Sequence, residues 1–257
     1  MGVGESLKKG FSVTIHSWGA ILIFFLYGLL TNLANAKVSA RLQNAVPGMN
    51  PTFLAAVGAT LLFIAIGVYF QAGLVGYVRD RFEGNPKLSK FWAYGLKYYP
   101  WFLVLAIMIL LIVVAVFLFG LLLLSFLQND LRPIAITIIT LAAIGALYGI
   151  ALLLFVPYAI VCDNLSFPAA VSKSARLTVK NMGAIVLIGL VLVLFGFSGG
   201  LILGVLLGLV SVLIPGANNS QYLVTGLSSI VNALVAVLMA ATYMTLYKRA
   251  DSASASR

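Results

Sequence analysis

Three bases, Lys173, Arg176 and Lys180, fall at i, i+3 and i+7, a spacing that gathers them on one face of a helix. A row of cations held that way binds anions, either nucleic-acid phosphates or lipid headgroups. Lys90 and Lys97 repeat the outer spacing, and Lys9 and His16 repeat it again with histidine in the last place. The rest of the chemical repertoire is thin. The 257 residues contain one cysteine, Cys162, and one histidine, His16. That leaves no internal disulfide, no cysteine-based metal site and little room for a catalytic triad. No cofactor and no metal are expected.

Composition chooses between the two anions. Hydrophobic residues make up 62% of the chain and charged residues 9%, which excludes an ordinary soluble surface. The net charge is +10, but the bases cluster beside long apolar runs, where headgroups are the nearer partner. Nucleic acid is therefore not expected as a partner.

Six apolar runs are long enough to cross a bilayer, which takes about 20 residues. They lie near 18–36, 53–78, 100–127, 133–161, 183–213 and 222–247. The first is short and ends in Thr31, Asn32 and Asn35; the fifth is long enough to tilt. A polar loop with a helical turn before Pro47 is expected over 37–52, a tight turn over 128–132, and a disordered tail over 252–257. The N-terminus lacks a cleavage site of small residues after its apolar run, so a removable signal is not expected. Of the 16 Lys and Arg, all but Lys37, Arg41 and Arg132 fall at one end of these spans. The positive-inside rule then predicts both termini in the cytoplasm and a multi-pass protein of the cell membrane.

The stretch from Phe155 to Ile185 supplies the organising pattern: an apolar run, an acidic turn at Asp163 and Asn164, an amphipathic segment opened by Pro168, and a new apolar run from Gly183. Aligned without a gap, 5–21 and 169–185 share Lys9/Lys173, Thr14/Thr178, Gly19/Gly183, Ala20/Ala184 and Ile21/Ile185. Lys90 and Lys97 join the register at offsets of 81 and 83 residues, and Asp80 and Asp163 are also 83 apart. The expected fold is all-α: six transmembrane helices forming three repeated hairpins, each preceded by a cytoplasmic interfacial amphipathic helix. Residues 1–251 form a single membrane domain, with units of about 1–81, 82–164 and 165–251.

Pro157, Tyr158, Asp163, Pro168, Ala170, Lys173, Ser174, Leu177, Thr178, Lys180 and Asn181 resemble the segment joining paired spans in a broad family of six-helix membrane proteins. That family includes the membrane domain ahead of some bacterial glycerophosphodiester phosphodiesterases. The resemblance implies the six-span layout. It does not imply the hydrolase activity, because these residues include no phosphodiesterase catalytic domain.

No Asp, Glu, Lys, Arg or His falls inside the six runs, which argues against a proton-coupled carrier and an intramembrane hydrolase. Among the polar residues that remain, Asn232 has two readings, a pore or pocket lining and an interhelical hydrogen bond, and the second is preferred. His16 is expected at the headgroups. Cys162 is expected as a small buried residue rather than a palmitoylation site. Trp18, Trp92, Tyr94, Tyr98, Tyr99 and Trp101 read as an interface belt rather than an aromatic binding site. Gly196, Gly200, Gly204 and Gly208 recur every fourth residue, a stripe that suits helix packing against another span. A hinge and a self-association face are its alternatives. Gly145 and Gly149 make a shorter stripe.

These features favour a non-enzymatic integral membrane protein, a scaffold, accessory subunit or envelope-homeostasis factor. Anionic lipids would contact Lys90, Lys97, Lys173, Arg176 and Lys180, and a membrane-protein partner or self-association fits as well. The rival is a permease or an export or immunity component for a lipid or small apolar solute. An enzyme comes third, since no base, nucleophile or metal set converges.

Overall fold

The computed structural model describes residues 3–43, 51–84, 86–126, 131–213 and 220–255. The described elements are all helices: α1 Val3–Ile15, α2 Trp18–Gln43, α3 Pro51–Phe82, α4 Ser89–Phe126, α5 Arg132–Leu152, α6 Val156–Asp163, α7 Phe167–Leu213 and α8 Ser220–Ala255. Five spans are long and apolar enough to cross a membrane, and a sixth is added when α1 and α2, bent by 81° at their joint, are taken together. The protein is an all-α multi-pass membrane protein.

Several boundaries differ from the sequence expectation. Of the three amphipathic segments, only α1 is a separate helix. The second is the first part of α4, which runs unbroken through Pro100, and the third is the first part of α7, which loses helical geometry only at Asn181 (φ −121°, ψ 19°). A proline needs no backbone donor in the first turn but removes one in mid-helix, and α4 nonetheless continues through Pro100. The expected 37–52 loop is helical as far as Gln43, and the expected 128–132 turn gives way to α5 at Arg132. Residues 44–50, 127–130 and 214–219 lie outside the described residues. Of the expected disordered tail, residues 252–255 instead belong to the end of α8, which reaches Ala255, and 256–257 lie outside the described residues. Asp251, just before them, is tied to Lys173, 2.7 Å away, and this tertiary contact overrides the weak helix preference of serine.

The fourth span is broken. Pro157 lacks an N–H, so the helix is interrupted at Leu153–Phe155 and restarts as α6. α6 ends at Asn164, whose left-handed backbone (φ 50°) reverses the chain toward α7.

Neighbouring spans pack in chain order, α2 on α3, α3 on α4, α4 on α5, α5 and α6 on α7, and α7 on α8. α8 then packs on α2 and α1, which closes a ring, while α3 touches α6 and α8 across its middle. The tightest packing lies at the end of the ring that carries the bases, where Leu74, Val78, Phe91, Phe155, Val161, Leu177, Met244 and Tyr247 are fully buried. Toward the other end, Phe117, Phe126, Val193 and Phe197 point outward, as suits a surface solvated by hydrocarbon.

Candidate functional site

The basic end is held by two carboxylates. Asp80, in the last turn of α3, is 4% exposed. Arg79 reaches its Oδ1 at 2.9 Å, while Tyr94 Oη donates to Oδ2 at 2.7 Å and Lys90 lies 3.4 Å from the same oxygen. Arg79 also donates to Tyr94 Oη at 2.9 Å and to the Val161 carbonyl at 3.0 Å, so one guanidinium ties α3, α4 and α6 together. Asp163, at the end of α6, has the same kind of company. Lys173 lies 2.7 Å from its Oδ2, and the Tyr247 hydroxyl donates to that oxygen too. In both places the lysine follows the carboxylate by ten residues.

The amphipathic segments share a third face, between the basic and apolar ones, that the sequence analysis did not single out. Gly10, Phe91 and Ser174 are buried at one register position, and Thr14, Gly95 and Thr178 at the next turn. Each segment turns this face to a different partner. Gly10 abuts α8, where an added Cβ would lie 2.9 Å from the Thr242 Cα. Phe91 and Gly95 meet α3, the latter against Tyr69. Ser174 mends the broken fourth span: its hydroxyl accepts from the Phe155 N–H at 3.0 Å and donates to the Leu152 carbonyl at 2.6 Å. Thr178 Oγ1 adds a long contact of 3.4 Å to the Ala151 carbonyl. Backbone groups freed by a proline in hydrocarbon need such partners.

The bases expected at headgroups divide into two sets. Lys90 and Lys173 are ion-paired, whereas Lys97, Arg176 and Lys180 are exposed and have no carboxylate partner among the described residues. Lys97 instead lies over the Tyr98 ring, 4.8 Å from its centroid. His16 is exposed, with Nδ1 donating to the Ser12 carbonyl. Cys162 is half-buried, its thiol 3.2 Å from Met244 Sδ. Trp18, Trp92 and Trp101 face outward at this end. Among the described residues, no group of three His, Cys, Asp or Glu side chains could hold a metal ion.

The glycine stripe meets few neighbours among the described residues. Among the described residues, a Cβ at Gly196 would touch only Val235, at 3.9 Å, and one at Gly200, Gly204, Gly145 or Gly149 would meet nothing within 4 Å. The surroundings of Gly208 lie outside the described residues. The close helix approaches instead use Gly73 and Gly76 of α3, where a Cβ would come within 2.8 Å of the Phe91 carbonyl oxygen and 2.5 Å of Tyr94 Cγ, together with Gly95 and Gly10. A run of evenly spaced glycines marks a smooth helix face but does not say whether another helix lies against it. Gly73 and Gly76 carried a weaker signal, a single three-residue spacing opposite an aromatic-rich segment.

Inside the ring lies a cavity of about 460 Å³ between α3, α4, α6 and α8. Its wall is mostly aliphatic and aromatic, with four polar groups: Gln71, Tyr158, Asn232 and Tyr243. The interhelical hydrogen bond preferred for Asn232 is not made among the described residues; its carboxamide lines the cavity. Sequence spacing gave no hint that Gln71 and Asn232 share one space, because the contact is between helices distant in the chain.

The family model of a domain of unknown function, DUF7847, matches residues 1–250. The chain belongs to the DUF7847 family. No curated protein and no solved structure matches it. The match runs from α1 into α8, and includes Asp80, Asp163 and the residues that line the cavity.

Proposed function

We propose that this DUF7847 protein is a non-enzymatic integral protein of the cell membrane, a scaffold, accessory subunit or envelope-homeostasis factor, with cytoplasmic termini and anionic lipid around its basic end. The observation that supports this reading is the balance of charge there. All five acids among the described residues, Glu5, Asp80, Glu83, Asp163 and Asp251, are ion-paired, and the bases they engage include Arg79, Lys90, Lys173 and Arg249. Lys97, Arg176 and Lys180 keep their charge for the surroundings, each worth about 1 kcal/mol beside anionic lipid. Lipid contact therefore rests on these three more than on Lys90 and Lys173.

The threefold repeat belongs to the same reading. It is supported by the recurrent Asp–Lys spacing of ten, by the buried face repeated in three segments, and by the way α1, α4 and α7 each lie against an even-numbered span. Three hairpins of equal orientation give an axis along the membrane normal. The rival reading, a permease or export component for a lipid or small apolar solute, is favoured by one observation, the cavity.

The test replaces Lys97, Arg176 and Lys180 with Gln and measures the anionic lipid that co-purifies in mild detergent. Enrichment should fall while the melting temperature holds. Unchanged enrichment in a folded, inserted variant would return these bases to a purely topological role.

A further inference from the structure

The cavity is partly open to the surface, where Gln71, Asn232 and Met239 are exposed, and closes toward Tyr158 and Tyr243, which are buried. It lies where α3, α6 and α8, the even-numbered spans, approach one another inside the ring, and α4 completes its wall. On α8 the lining runs from Asn232 to Tyr243, three turns, or about 16 Å. A volume of 460 Å³ over that length leaves a cross-section of roughly 30 Å², a slot for one chain or one ring. Gln71 lies eight residues before Arg79, so it sits about 12 Å below the basic end.

Two buried hydrogen-bonding groups of its lining stand without partners. Tyr158 and Tyr243 are 7% and 5% exposed, yet neither hydroxyl has a hydrogen-bond partner among the described residues; Gln71 and Asn232, also without one, are exposed residues. Hydrocarbon cannot satisfy such groups, and leaving them bare is costly. No charged residue lines the slot, so an ionised headgroup would enter without a counter-charge in a medium that penalises it heavily. We propose that the slot binds an uncharged amphiphile: a single-chain or isoprenoid-type lipid whose hydroxyl or carbonyl oxygen lies at the Tyr158 and Tyr243 end and bonds to those two hydroxyls, with its chain running along the slot toward Asn232. The occupant is a neutral lipid, not a phospholipid, and the proposal does not depend on how the bases at the cytoplasmic end are used.

The test uses the full-length protein in phosphatidylcholine nanodiscs and a long-chain alcohol carrying a photoactivatable diazirine. Labelling should be saturable, should map to the segment around Met239 and Tyr243, and should be competed by the unlabelled alcohol. A hydrocarbon of equal length and the corresponding fatty acid should compete poorly. Tyr158→Phe together with Tyr243→Phe should raise the half-saturating concentration about tenfold, as loss of two hydrogen bonds predicts. Non-saturable labelling, equal competition by the hydrocarbon or the fatty acid, or an unshifted folded double variant overturns the proposal. Should the double variant fail to fold, the two single variants decide, since each removes only a hydroxyl: weakening of a few fold sustains the site, and unchanged labelling in both overturns it.

Discussion

Lys173 Nζ lies 2.7 Å from Asp163 Oδ2, ten residues back along the chain and across the turn from α6 to α7. The pair is about a quarter exposed on each side, so part of its attraction is screened. Asp80 serves Lys90 with the same spacing but is nearly closed off, and its main partner Arg79 is only 15% exposed. The two carboxylates should therefore differ in weight. Asp163→Asn is expected to cost about 1 kcal/mol, and Asp80→Asn about 3 kcal/mol because it strands a buried guanidinium. Thermal unfolding in detergent checks both. Equal losses would show that burial does not set the scale.

Ser174 should matter more than its size suggests. Ser174→Ala leaves the Phe155 N–H and the Leu152 carbonyl without their side-chain partner at the break in the fourth span. Unmet buried polar groups cost about 1–3 kcal/mol each, so a loss near 2 kcal/mol is expected. Thr178→Ala, whose contact is 3.4 Å long, should cost less. Unfolding of the two variants side by side measures the difference.

Glycine substitutions should sort by contact rather than by periodicity. Gly10→Ala brings a methyl to 2.9 Å from the Thr242 Cα, so backbone must move, at a cost of about 1–3 kcal/mol. Gly200→Leu and Gly204→Leu meet nothing among the described residues and should stay within about 0.5 kcal/mol. Cross-linking before and after those two substitutions reads out self-association, the alternative that their open face leaves standing.

Topology has its own check. In a Cys162→Ser background, a cysteine at Ser89 should react only with reagents that reach the cytoplasm, and one at Asn218 with impermeant reagents added outside. Asn218 lies outside the described residues, so its side follows from the bases alone. Labelling of position 89 but not 218 from outside would invert the orientation.

Much of this protein was set by local sequence. Apolar runs of about 20 residues can only be spans in a bilayer, and the i, i+3, i+7 spacing of Lys173, Arg176 and Lys180 leaves them together on one helical face. Those features depend on neighbours along the chain, so they could be read without a fold. Tertiary structure decided which bases are paired. Lys173 and Lys180 look alike in sequence, but only Lys173 finds Asp163 and Asp251, because α6 and α8 end beside it. It also decided which glycines are covered: Gly10 is closed by α8, whereas Gly200 is open among the described residues, though spacing favoured the second. The cavity is the clearest case. Gln71 and Asn232 are 161 residues apart, and nothing local to either places them in one slot. In hydrocarbon the helices gain little from burying apolar surface, so position is settled by steric fit and by polar groups seeking partners, and both are properties of helices already assembled.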